Sequence, residues 1–181
     1  MKRIIDQSHG IDINLGFIGY RDIYEEYVDL DFTKEHSYIE NQISDVIASG
    51  GGDIPEDVAW AFERALNKSW KSDAKFIVFV ADAPGHGRKY GPYDEVYFNG
   101  IPGRKEIEDS IEELARDYVS MFCFRIHSDT DIMFNIFKNV YDNYNSTSFE
   151  LVDIEGHVFT DEIVNSCNKY YWKQRTKINK T

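Results

Sequence analysis

Two cysteines in 181 residues are too few to build a disulfide framework. Cys123 lies in an apolar run and Cys167 in a segment with helical spacing, so both read as reduced core residues. Neither a C-x-x-C pair nor Cys/His metal spacing occurs. Long apolar runs are missing too: none approaches the roughly 20 residues that a membrane helix requires. Residues 1–6, MKRIID, turn polar too early for a signal peptide. The expectation is a cytoplasmic protein without a membrane span. Positive charge is scarce, with 20 Lys and Arg against 32 Asp and Glu and a net charge of −12. Such a surface repels phosphates, so nucleic acid is not an expected partner. The basic run Lys169, Lys173, Arg175, Lys177 and Lys180 is a local exception. It reads as a solvated tail, with a phosphate or membrane-surface patch as the alternative. Three catalytic signatures are also lacking: a G-x-S-x-G nucleophile elbow, a phosphate loop of the G-x-x-x-x-G-K-[ST] type, and H-E-x-x-H.

What remains is an ordinary globular composition, 42% hydrophobic and 29% charged, long enough for one domain with a real core. Residues 11–20 alternate and then turn continuously apolar, as a half-buried to buried strand does. Residues 24–32 alternate more weakly and carry charge, which suits an edge strand. Glu25, Glu26, Asp29 and Asp31 there read as a solvated strand face. Helical spacing follows over 36–48, until three glycines stop it. Pro55 suits the first turn of a new helix running to about residue 69, with Asp53 or Ile54 near its cap. Residues 76–81 form an apolar run between polar flanks, the pattern of a strand covered on both faces. Residues 84–103 hold five glycines and three prolines and read as a long irregular loop, usually functional or mobile. Helices are expected at 105–118, 131–144 and 161–172, the last with an acidic first turn that suits the helix dipole. Strands are expected at 119–126 and 149–154. Strands alternating with helices predict an α/β fold: a doubly wound, mostly parallel sheet with helices on both faces, plus one hairpin-like edge strand.

Two loops carry the candidate chemistry. The first, Gly50-Gly51-Gly52-Asp53, opens a helix; the second, Asp82-Ala83-Pro84-Gly85-His86, follows a buried strand. In open parallel sheets the C-terminal strand tips are where ligands bind. Asp53 reads either as a helix N-cap, contributing about 1 kcal/mol, or as a ligand. Three consecutive glycines exceed what a cap needs and allow the backbone close to a ligand. Glu56 and Asp57 suit the positive helix end. Asp82 reads as a site position, with a turn cap as the alternative. Gly51, Gly52, Gly85 and His86 belong to the same loops, although a loop histidine is more often a surface residue than a ligand or base.

Four segments in order resemble a known family: GFIGYRD at 16–22, DFT at 31–33, GGGDIPED at 50–57 and ADAPGHG at 81–87. They look like the von Willebrand factor type A (vWA) domain, in the branch found beside alpha-type protein kinases. The resemblance runs from about residue 11 to residue 154. It implies a doubly wound sheet with a metal-ion-dependent adhesion site at its C-terminal edge. In the family three loops hold the metal: a D-x-S-x-S loop after strand one, a threonine loop, and the aspartate after the central hydrophobic strand. The branch replaces the threonine by the aspartate of its GGGD loop, which carries over to Asp53; the last aspartate carries over to Asp82. Mg2+ or Mn2+ is the implied ion, completed by a carboxylate of a protein partner.

The chain departs from that pattern at its start. Asp6-Gln7-Ser8 matches half of D-x-S-x-S, but only about two residues separate it from the strand that should follow a whole helix, and a parallel crossover needs about a dozen. Strand one and most of helix one are therefore expected to be missing. Residues 1–160 then form a vWA-like domain without its first strand, and 161–181 a helix and basic tail. Strand one is central in the order 3-2-1-4-5-6, so a gap or a closed-up sheet is expected between the strand at 11–20 and the strand at 76–81. The metal site would keep two of its three loops, with weak or no Mg2+ or Mn2+ binding. The expected function is a protein-binding module, read as a fragment of a larger alpha-kinase-associated protein and not itself an enzyme. The alternative is a metal-dependent hydrolase or phosphotransferase using Asp53 and Asp82 around a cation, with His86 as acid or base.

Overall fold

The structure, a computed structural model, describes residues 12–47, 52–93, 96–145 and 147–153. Alternation along its central strands sorts the apolar side chains into two layers. Strand β3 (Lys75–Ala81) and strand β4 (Val119–Arg125) pair in parallel, and β4 pairs in parallel with β5 (Phe149–Asp153). Phe79, Ala81, Met121 and Cys123 point to one face, and Phe76, Val78, Val80, Phe122, Phe124 and Val152 to the other, as the two-residue period of a strand requires.

Three helices cover the first face. They are α2 (Val58–Leu66), α3 (Ile107–Arg116) and α4 (Asp131–Tyr141). Each shows its apolar residues at helical spacing: Val58, Phe62 and Ala65; Ile107, Ile111 and Leu114; Met133, Phe137 and Tyr141. Phe62, Phe79, Phe134 and Phe137 meet at ring separations of 5.1 to 6.1 Å, in tilted and edge-on pairs. Burying one such ring contributes about 1.5–3 kcal/mol, so this aromatic block fixes how α2 and α4 sit on β3. The expected helix at 161–172 lies outside the described residues.

A separate two-stranded sheet joins β1 (Leu15–Gly19) to β2 (Val28–Thr33), antiparallel as a hairpin-like edge requires. Helix α1 (His36–Ser44) packs against it. Among the described residues, no strand joins this pair to β3–β4–β5. Among these residues the expected interruption of the sheet lies between β1 and β3. The end of β1 nevertheless lies beside β3: Tyr20 stacks on Phe79 at 5.8 Å, and its hydroxyl donates to the Val80 carbonyl at 3.3 Å. The Ala81 carbonyl accepts from Ile126 on the β4 side, so the neighbouring Val80 carbonyl faces the open edge. A side-chain hydroxyl there satisfies a ladder group that a strand would otherwise bond.

Several elements differ from their sequence patterns by a few residues, and the start of α2 shows why. Helix α2 begins at Val58 and not at Pro55, and its N-cap is Asp57 instead of Asp53 or Ile54. The backbone at 55–57 is engaged elsewhere. Glu56 N–H donates to the Pro84 carbonyl and Asp57 N–H to the Arg21 carbonyl. Those bonds set Glu56 in a short parallel bridge to Gly85, and the chain turns at Asp57, where Val58 N–H donates to the Glu56 carbonyl at 2.8 Å, before the first helical turn.

Candidate functional site

Three loops meet at the C-terminal ends of β1 and β3. The first follows β1 and carries Asp22 and Glu25. Glu25 N–H closes a turn on the Asp22 carbonyl at 3.2 Å. Within that turn Tyr24 takes a left-handed backbone, φ 70°, and is 94% exposed. An aromatic residue in that conformation is a genuine outlier, of the kind that concentrates at functional loops. The second loop carries Gly52, Asp53 and Glu56; the third carries Asp82 to His86.

Backbone hydrogen bonds lace the second loop to the other two. Glu56 accepts from His86 N–H at 3.3 Å and donates to Pro84 at 2.9 Å, and Asp57 N–H reaches Arg21 at 3.1 Å. Gly85 makes the close approach possible. A Cβ there would lie 2.7 Å from Ile107 Cδ1 and 3.1 Å from Val58 Cβ. Its role is to seat the loop against α2 and α3.

This lacing brings Asp22, Asp53 and His86 together, with one oxygen or nitrogen of each within 4.8 Å of the others. The His86 side chain is only 2% exposed and its Nε2 lies 2.8 Å from Asp22 Oδ1. The Tyr97 ring stands edge-on to the imidazole at 5.0 Å. Asp53 is exposed on the rim. Asp82 is also exposed and stands outside the three-donor group, yet its charge reaches Glu56 and Tyr20. Gly52 lies against Asp22, and Gly51 falls outside the described residues.

Negative charge accumulates behind this group. Burial and the nearby Asp22, Glu25 and Asp82 push the Glu56 carboxyl up to about 7. Burial, with Asp82 and Glu56 nearby, raises the Tyr20 hydroxyl well above the usual phenol range. Glu25 Oε2 and Glu56 Oε2 are both buried without a hydrogen-bond partner. Orphaned carboxylate oxygens beside Asp22 and His86 fit a cation better than they fit an empty protein surface.

Below the rim, Asp57 ties the loops together. It is fully buried, caps α2 through Trp60 N–H at 2.9 Å, and accepts from the Tyr27 hydroxyl at 2.8 Å and from Arg104 at 2.7 and 3.1 Å. Tyr27 in turn stacks on Trp60 at 4.0 Å. Sequence reasoning gave Asp57 only a place near the helix end. It also missed Asp22, Glu25 and Glu56 as parts of one group. A signal existed for Asp22, which lies three residues beyond the apolar strand β1, in a loop at its C-terminal end as Asp82 is at the end of β3. The carboxylates of β2 are not merely solvated either. Asp29 pairs with Arg64 and Lys68, and Asp31 binds the Ser69 hydroxyl at 3.1 Å. Burial alone would raise the Asp29 carboxyl, but the bonds from Lys68 and Arg64 overcome it and hold it below the usual range.

No known family profile matches the chain. Over 108 residues, 58% of the chain, it is 27% identical to the alpha-protein kinase vwkA of Dictyostelium discoideum. The matched stretch spans 17% of that kinase's length. A structural likeness covers 83% of the chain: the crystal structure of the SpRpn10 VWA domain superposes over 70% of its own length with a TM-score of 0.52 and 11% identity. With its parallel β3–β4–β5 sheet, its antiparallel β1–β2 edge and its loops gathered at the strand tips, the chain has the fold of a von Willebrand factor type A domain.

Proposed function

We propose that the chain is a protein-binding module that engages its partner at the loop edge built from Asp22, Asp53, Asp82 and His86, with a partial metal-ion-dependent adhesion site there. The observation that carries this reading is the character of the rim. Tyr24, Ile54, Val96 and Phe98 all lie on the loops of this edge and are 94%, 42%, 76% and 50% exposed. Large exposed apolar side chains on the loops that carry a polar group favour an interaction surface there. The kinship of fold with vWA domains, and the sequence similarity to part of an alpha-protein kinase, support a module that works within or beside a larger protein.

Site-specific photocrosslinking in the parent cell tests it. A photoreactive residue replaces Tyr24 or Phe98 at the edge, or Tyr118, which is 63% exposed at the opposite end of β4. A discrete adduct from positions 24 and 98 but not from 118 is the expected outcome. Equal labelling from all three, or none from the edge, would overturn the reading. A second reading, metal-assisted hydrolysis with His86 as acid or base, draws on the Glu56 carboxyl near 7 beside a buried imidazole. Turnover of a phosphate ester that His86→Gln abolishes would favour it.

A further inference from the structure

The family pattern places oxygen ligands alone at this edge, whereas the structure brings an imidazole into it. We propose that Asp22, Asp53 and His86 form a divalent-cation site of mixed nitrogen and oxygen donors, selective for Zn2+ and its neighbours over Mg2+. The inference rests on the reading of this edge as the functional site, and it assigns the ion and the ligands.

Three observations carry it. First, the donors come from three separate loops, after β1, before α2 and after β3, fixed to one another by backbone bonds from Glu56 and Asp57. Ligands on laced loops are positioned before the ion arrives, which lowers the ordering cost of binding. Second, the spacing suits one ion. Zn–N and Zn–O bonds of about 2.0–2.2 Å place neighbouring ligand atoms about 3.0–3.5 Å apart. His86 Nε2 and Asp22 Oδ1 stand 2.8 Å apart, sharing a hydrogen bond. An ion replaces the proton of that bond with little side-chain movement, and the proton leaves to solvent. Asp53 closes from within 4.8 Å, and its exposed position after Gly52 gives it room to move. Third, two orphaned buried carboxylate oxygens, Glu25 Oε2 and Glu56 Oε2, lie behind the group. A dication offsets the repulsion among these charges.

The donor chemistry decides the ion. Imidazole suits Zn2+, Ni2+ and Cu2+, whereas Mg2+ demands an oxygen octahedron and gives up water reluctantly.

Calorimetry of the full chain with Zn2+, Co2+ and Mg2+ tests the proposal, together with the visible absorption of Co2+. One saturable Zn2+ site is expected, at least about 100-fold tighter than Mg2+. Co2+ should give ligand-field bands that Zn2+ abolishes. His86→Gln should weaken Zn2+ at least about tenfold and remove the Co2+ bands. Because His86 is buried, Asp53→Asn on the exposed rim serves as the second variant, with the same tenfold loss expected and an unchanged thermal midpoint of the metal-free protein. Equal affinity for Mg2+ and Zn2+, no saturable Zn2+ binding, or Zn2+ binding unchanged in Asp53→Asn would overturn it. These are direct ion-binding readouts. They fail independently of the crosslinking pattern, so a lost metal site and a lost partner surface give different results.

Discussion

Replacing Asp57 by alanine should be among the most damaging single changes in this protein. The carboxylate is 0% exposed and accepts from the Trp60 amide, the Tyr27 hydroxyl and the Arg104 guanidinium. Two losses add. Removing the N-cap of α2 costs about 1 kcal/mol. Removing one partner of a buried ion pair costs about 3–5 kcal/mol when the other charge is stranded. Arg104 is not stranded fully, because 27% of its side chain is exposed and its head can reach water. That contact takes the second term down to about 2 kcal/mol, for a total of about 3 kcal/mol. Asp57→Asn keeps the Oδ1 acceptor for Trp60 N–H, and so the helix cap, but puts an NH2 group where Oδ2 accepted from Tyr27 and Arg104, so it should cost about 2 kcal/mol, less than Asp57→Ala. Urea unfolding followed by circular dichroism measures both. With a slope near 2 kcal/mol/M, the midpoint of Asp57→Ala should fall by about 1.5 M. A double-mutant cycle with Arg104→Ala isolates the ion pair. A loss below about 1 kcal/mol for Asp57→Ala would show that this network is not what fastens the three loops.

Two further outcomes follow from the same geometry. The folded carboxyl of Glu56 is raised to about 7 from 4.5, so the folded state holds a proton that the unfolded state releases between those values. Stability should therefore fall as pH rises from 4.5 to 7, by about 1–2 kcal/mol after discounting for the solvent reaching this half-buried group. In Glu56→Gln, with chelator present, that portion of the pH dependence should vanish; a Gln variant with the wild-type slope would refute the assignment. Gly85→Ala places a methyl 2.7 Å from Ile107 Cδ1, so it should destabilise by about 1–3 kcal/mol and loosen the bridge to Glu56. Faster amide exchange at Glu56 and His86 is the measurement, and unchanged exchange would count against that seat.

The amino-acid sequence determines the layers of this fold by itself. The apolar run at β3, the apolar β4 and the helical spacing of α2, α3 and α4 are local patterns, and local patterns carry secondary structure. The order of those elements, with the antiparallel β1–β2 edge, was legible because strands alternating with helices leave few sheet topologies open. The loops of the site were legible as loops, through their glycines and the carboxylates at strand ends. Which carboxylates meet was not. Asp22 is 31 residues from Asp53 in the chain and 64 from His86, and only the bonds of the Glu56 segment to Pro84 and Arg21 bring them to one point. The true cap of α2 was hidden for the same reason: propensity favours a start at Pro55, but backbone bonds to two other loops hold Glu56 in a bridge and turn the chain at Asp57. Tertiary hydrogen bonding overrides local preference there because each buried backbone group must find a partner, wherever in the chain that partner lies.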